Sequence, residues 1–211
     1  MSELMRSKLY VPASRPEFFA KALGSQADAV CWDLEDSVAP SRREEARENL
    51  RTLFRGALLT DKALMVRVNP VTSGDFARDL HAVVCPALAV LAIPKVGDPD
   101  EVRTATEQLS TLERERGVEK PIAILPTIET PRGLRLAREI AESSPRVMGL
   151  QLGLVDLFGF LGIGRDDAEA AQQVRFQMSW AAGEAGVPCF DGAYVDYRNA
   201  EGFAREATAA R

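Results

Sequence analysis

At 211 residues, 46% hydrophobic and 27% charged, the chain has enough apolar material to bury a full core over 1–211 as one domain, which excludes disorder as the default reading. A net charge of -5 with dispersed basic residues excludes an electrostatic case for nucleic acid or an anionic membrane as partner. Three cysteines at wide spacing, a single histidine and no apolar run near the roughly 18 residues of a membrane span exclude a disulfide framework, a zinc site and a transmembrane helix. With no apolar core in "MSELMRSKLYVPAS", the reading is a soluble protein of the reduced cytoplasm.

In chain order, "KLYVPA" (8–13) predicts a strand and "RPEFFAKAL" a helix. "ADAVCWDL" (27–34) predicts a second strand, followed by the helical period of "SRREEARENLRTLF". "ALMVRVN" (63–69) is a third strand, with "GDFARDLHAVV" a weaker helix. "ALAVLAIPKV" (87–96) precedes the charged helix "DEVRTATEQLSTLERERG". "PIAILPTIE" (121–129) leads into "PRGLRLAREIAE", "RVMGLQLG" (146–153) into "DAEAAQQVRFQMSWAAGEAG", and "VPCFDGAYV" (187–195) is the last strand.

Strand followed by helix, without tight hairpin turns, predicts parallel strands with crossover helices, and near-continuous apolar strands predict helices covering the sheet. An open doubly wound nucleotide fold would place a Gly-rich turn after the first strand, where "VPASRPEF" has none, and the later "GIGR" lacks the third glycine. What recurs is a polar side chain at the end of each apolar run: Asp33, Glu35 and Asp36, then Arg67 and Asn69, Lys95, Glu129, Asp156 and Asp191. In a (β/α) barrel these ends share one rim, where barrel enzymes build their sites.

The segments "RSKLYVPASRPEFFAKAL", "ADAVCWDLEDSVAPSRREEAR", "VRVNP", "IPKV", "PTIETPRG", "GLVDL" and "GVPCFDGAYVD" resemble, in order, the citrate lyase β-subunit-like group with its malyl-CoA and citramalyl-CoA lyases, within the HpcH/HpaI aldolase fold. The resemblance implies a TIM-type (β/α)8 barrel and a Mg²⁺-dependent lyase that cleaves or forms a C–C bond between a 2-oxo acid or acetyl unit and an acyl-CoA, as in citryl-, malyl- or citramalyl-CoA. By the same resemblance Glu129 and Asp156 are the metal ligands, Arg67 is the substrate arginine, and Arg6 lies near CoA or substrate. It further implies a homo-oligomer, trimer or hexamer. Relatives carry another strand and a lid after "FDGAYVD" and its helix, so the expectation here is a barrel lacking its final βα unit and lid.

The residues suit that chemistry on their own terms. An enolate needs a cation or oriented donors, Mg²⁺ takes oxygen ligands including one or two carboxylates, and an Arg fork fits a carboxylate. Arg67, Glu129, Asp36 and Glu35 are therefore the candidate catalytic residues, and Arg67, Glu129, Arg6 and Lys95 the candidate substrate contacts. Glu35 and Asp36 would orient metal-bound water or pair with Arg67 or Lys95. Rival readings stay open: Glu129 as an acid at a helix N-terminus, and "DLED" as a solvated loop capping the next helix. Lys95 as a Schiff-base nucleophile is disfavoured, because nearby carboxylates raise its pKa. His81 reads as surface and the cysteines as core. Alternative functions are a metal-dependent aldolase on free 2-oxo acids, active without CoA, and a ligand-binding subunit that does not turn over.

Overall fold

The computed structural model describes residues 5–56, 60–164, 166–196 and 198–210. Strand β1 (Lys8–Pro12) passes through a 3-10 turn into α1 (Phe19–Leu23), and β2 (Ala29–Asp33) is followed by α2 (Arg43–Arg55). Then come β3 (Ala63–Arg67), α3 (Phe76–Val83), β4 (Val90–Ile93), α4 (Pro99–Arg116) and β5 (Ala123–Ile128). Two short helices follow, α5 (Pro131–Arg135) and α6 (Ala137–Glu142), before β6 (Leu150–Leu152) and α7 (Leu154–Leu161). Helix α8 (Ala168–Glu184), β7 (Cys189–Phe190) and α9 (Ala200–Ala209) complete the order.

All seven strands are parallel and lie side by side in chain order from β1 to β7. The period-two alternation of side chains divides the sheet into two faces. Val30, Trp32, Leu64, Val66, Leu91 and Ile93 point outward into one large core beneath the helices, where Trp32 meets Phe19 and Phe54 edge-on at ring distances of 6.0 and 5.7 Å. Ala29, Cys31, Met65, Val90, Ala92 and Leu125 point inward and form a second, smaller cluster. Small side chains suit the inside, because the sheet curls on itself: Lys8 on β1 donates to Gln151 on β6, and its ammonium lies 4.0 Å from the Phe190 ring centre on β7. The result is a half-barrel of seven parallel strands.

Local chemistry explains most helix ends. Asp98 caps α4 by accepting from Asp100 N, Pro99 opens it, and Gly117 ends it in the left-handed region at φ 64. Asp167 caps α8 in the same way. Three expectations are corrected. "PRGLRLAREIAE" is two helices parted at Leu136; α7 has no counterpart in the expected elements; and the last two strands shorten to three and two residues.

Between α2 and α3 lies an ionic network. Arg47, 2% exposed, donates from Nε to Asp79 Oδ1 at 2.8 Å and from Nη2 to Asp75 Oδ1 at 2.6 Å. Asp79 Oδ2 accepts from Asn69 N and Nδ2 at 2.7 and 2.8 Å, and Arg43 meets Asp75 Oδ2 at 2.6 Å. Asn69, expected at the rim, instead ties the end of β3 to α3. Among the described residues no helix is long and apolar enough to cross a membrane.

Candidate active site at the strand ends

The site begins with a register pair. Asp33 ends β2 and Arg67 ends β3; they are partners in the sheet, and the alternation that turns Cys31 and Met65 inward turns them inward too. Arg67 engages Asp33 as a fork, Nε to Oδ1 at 2.6 Å and Nη2 to Oδ2 at 2.7 Å. The same carboxylate accepts from the backbone N–H groups of Glu35 and Ser37, each at 3.0 Å, and from the Ser37 hydroxyl at 2.5 Å. The loop after β2 is thus wound around Asp33. Burial opposes a charge on either group, and their mutual pairing outweighs it, lowering the pKa of Asp33 and raising that of Arg67.

That winding buries Glu35, 3% exposed, and leaves the Asp36 side chain half exposed. Neither caps a helix; both face cations, which settles the question left open for "DLED". Arg67 Nη1 lies 3.2 Å from Glu35 Oε2 and 3.7 Å from Asp36 Oδ2, with the guanidinium 5.5 Å from the Tyr10 ring centre. Lys95 Nζ donates to Glu35 Oε1 and, at 3.1 Å, to Asp36 Oδ1, and reaches Asp156 Oδ2 at 3.9 Å.

Lys95 follows β4 in the left-handed region, at φ 55, the one non-glycine residue so placed among those described. An L-residue held there is a strain kept at a site. The conformation aims its backbone N–H at Glu129 Oε1, 2.7 Å away. Burial opposes the ammonium, and the Glu35 and Asp36 carboxylates more than compensate, holding its pKa above the ordinary lysine value. An amine so held is a counter-charge, not a nucleophile.

Glu129, 4% exposed, follows β5; the cap of α5 is its neighbour Thr130, so Glu129 is not a helix-terminal acid. Burial, with the Asp156 carboxylate next, pushes Glu129 up to about 8. Asp156 stands in the first turn of α7, its side chain 39% exposed. Gly153 ends β6 against Glu129: a Cβ there would overlap both Glu129 Oε2 and Glu129 Cβ. No three His, Cys, Asp or Glu side chains are grouped as a metal cage among the described residues. The donor set that is present, two carboxylates in an excess of negative charge, fits Mg²⁺, which keeps most of its waters and needs only one or two carboxylates.

The structure therefore brings Glu35, Asp36, Arg67, Lys95, Glu129 and Asp156 together. It does not bring Arg6 to this rim: Arg6 precedes β1, at the opposite end of the strands, where its N and Nη2 donate to Asp28 at 2.9 and 3.1 Å. Asp191 pairs with Arg175 of α8 at 3.1 Å. Sequence reasoning put Asp33 at the rim without its pairing to Arg67, and missed Tyr10 beneath the guanidinium. Both share the inward phase of their strands, which is the signal that points to them.

The family model for HpcH/HpaI aldolase/citrate lyase matches residues 6–211. Over 223 aligned residues the chain is 30% identical to the L-malyl-CoA/beta-methylmalyl-CoA lyase of Cereibacter sphaeroides, covering 96% of this chain and 70% of that protein. It is 33% identical over 204 residues to citrate lyase subunit beta of Escherichia coli, covering 96% and 68%. Its fold matches the citrate lyase beta subunit of M. tuberculosis complexed with oxaloacetate and magnesium at a TM-score of 0.76 and 31% identity, covering 94% of this chain and 83% of that one.

Proposed function

Since the chain belongs to the HpcH/HpaI aldolase/citrate lyase family of carbon–carbon lyases, we propose that it is a Mg²⁺-dependent lyase acting on a β-hydroxyacyl-CoA such as citryl-, malyl- or citramalyl-CoA. The observation that carries the reading is the convergence of Glu129 and Asp156 with Arg67 and Lys95 at one end of the half-barrel.

Glu129 and Asp156 would hold Mg²⁺, which when bound supplies Lewis acidity toward a carbonyl oxygen. Arg67 has Nε and Nη2 committed to Asp33, and that commitment fixes the plane of its fork. Its remaining Nη1 edge, with the Lys95 ammonium, gives the rim fixed positive charge for a substrate carboxylate or a developing enolate oxygen. Glu35 and Asp36 keep both cations in place, so little reorganisation accompanies the change of charge.

The seven-stranded curled sheet is read as part of a TIM-type (β/α)8 barrel, supported by the unbroken strand order. A homo-oligomer is supported by Phe176 and Trp180 on α8, 61% and 67% exposed.

Isothermal titration of oxaloacetate with and without Mg²⁺ tests the reading. Metal-dependent binding in the wild type that disappears in Glu129→Ala is the expected result, followed by cleavage of malyl-, citramalyl- or citryl-CoA. Binding that ignores Mg²⁺ or survives Glu129→Ala sinks the metal site. Turnover of a free 2-oxo acid without CoA would replace the substrate class.

A further inference from the structure

We propose that the cleft between α8 and the end of α9 is a binding site for a small monocarboxylic acid, separate from the strand-end rim, with Arg175 as partner of the carboxylate and Leu152 and Phe176 against its short apolar body. The inference does not rest on the lyase reading.

Helical spacing sets the cleft up. Gln172, Arg175, Phe176 and Ser179 stand at i, i+3, i+4 and i+7 of α8 and so share one stripe of the helix. A different stripe, with Val174 and Met178, is the one buried in the core, which leaves the first turned aside from it. That first stripe lines a cleft of about 190 Å³, bounded on the sheet side by Leu152 and Asp191 and at the end of α9 by Ala209.

Arg175 is the cation of the cleft. Its side chain is 14% exposed, yet only one of its three nitrogens is matched: Nε donates to Asp191 Oδ2 at 3.1 Å. Asp191 is itself tied to the end of β7, where its Oδ1 accepts from Gly192 N at 2.8 Å and its carbonyl oxygen accepts from Gln151 Nε2, so it fixes the plane of the guanidinium. Arg175 Nη1 and Nη2, the Gln172 amide and the Ser179 hydroxyl have no hydrogen-bond partner among the described residues. A mostly buried guanidinium with both Nη groups open keeps donor capacity for oxygen, and its two N–H groups fit the two oxygens of one carboxylate.

The remaining lining decides the class of acid. Asp191 already holds the Nε side, so the single cation has room for one more carboxylate, and a second on the same ligand would meet only like charge. Leu152 and Phe176 offer apolar surface, and the volume lies below the roughly 300–1,000 Å³ of pockets for drug-sized ligands, which limits the acid to a short body. The rim differs in each respect: two nitrogens of Arg67 are already matched, and carboxylates crowd the rest.

Saturation-transfer NMR of butyrate with the full chain in EDTA tests this, because chelation removes metal-dependent binding at the rim. Butyrate is expected to bind, with butanol, phosphate and succinate each competing more weakly by about tenfold or more, since each lacks the apolar body or the single charge. Arg175→Gln removes the cation; Ser179→Leu fills the cleft and leaves the ion pair with Asp191 intact. Each variant, checked for folding by circular dichroism, should bind butyrate more weakly by about tenfold or more. No transfer to butyrate in the wild type, or binding retained in either folded variant, would overturn the proposal. Phosphate competing as well as butyrate would overturn the assignment to a carboxylic acid.

Discussion

Two clusters of buried charge lie close together in this molecule and are built from the same residue types, with opposite outcomes. Between α2 and α3, each oxygen of Asp75 and Asp79 meets a donor from Arg43, Arg47 or Asn69. At the strand ends only Asp33 is satisfied in that way; Glu129 is pushed up to about 8, Glu35 has an oxygen without a donor, and Lys95 is held at a positive φ. A network whose carboxylate oxygens all meet donors fixes two helices to each other, even with Arg43 Nε and Asn69 Oδ1 left over. A mismatched one, with carboxylates in excess, leaves charge and acceptor capacity unused, which is what the proposed Mg²⁺ site would draw on.

The largest expected effect comes from unbalancing the matched cluster. Asp79→Ala leaves Arg47 buried without its Nε partner and removes both bonds from Asn69 to Asp79, leaving only its bond to Leu34 O, so a loss of about 3–5 kcal/mol of stability is expected. Chemical denaturation measures it. If the difference between the clusters is real, Mg²⁺ affinity of the folded fraction stays near wild type; a large loss of Mg²⁺ binding would merge the two clusters into one functional unit.

The converse change disturbs the rim directly. Gly153→Ala puts a methyl group where Glu129 Oε2 and Cβ now lie, and Glu129 has to leave its position beside Lys95 N. A Mg²⁺ affinity lower by about 10–100-fold is expected, as for other displaced supports of a metal ligand. Calorimetric titration reads it, and unchanged affinity would show that the ion is not held by Glu129 in this position.

These two clusters also show what was legible beforehand. The alternation of apolar runs with helical period announces a parallel α/β sheet, and Arg67, Lys95 and Glu129 were legible because each closes a strand. Helix α7 was not: "LVDLFGFL" is short and apolar apart from Asp156, so Asp156 reads only as a residue shortly after the sixth strand, and the structure puts it in a helical first turn. The role of Asp33 depends on its register with Arg67, which no local pattern encodes. Arg6, given near CoA or substrate by resemblance, precedes β1 and so lies at the opposite end of the strands from the residues that follow them.

The smallest expected effect concerns a third buried charge, which has no carboxylate at all. Lys8, inside the curl of the sheet, has only Gln151 as acceptor and the Phe190 ring beneath its ammonium, and burial lowers it from 10.5 to about 8. The groups facing it include the thiols of Cys31 and Cys189, which burial pushes up to about 12 and 11, so they stay largely protonated below pH 10. The unfolded chain keeps the Lys8 proton up to about pH 10.5, whereas the folded chain releases it near pH 8. Between those values the unfolded state binds more protons, so stability should rise with pH, by on the order of 2–3 kcal/mol across the window. Lys8→Met should remove this rise and narrow the stability gap that the wild type shows between pH 7 and pH 10. Denaturation of both proteins at a series of pH values checks it through their difference, which cancels the other titrating groups. Parallel curves would mean that Lys8 keeps its charge inside the sheet, and that the half-barrel interior is wetter than its small apolar lining implies.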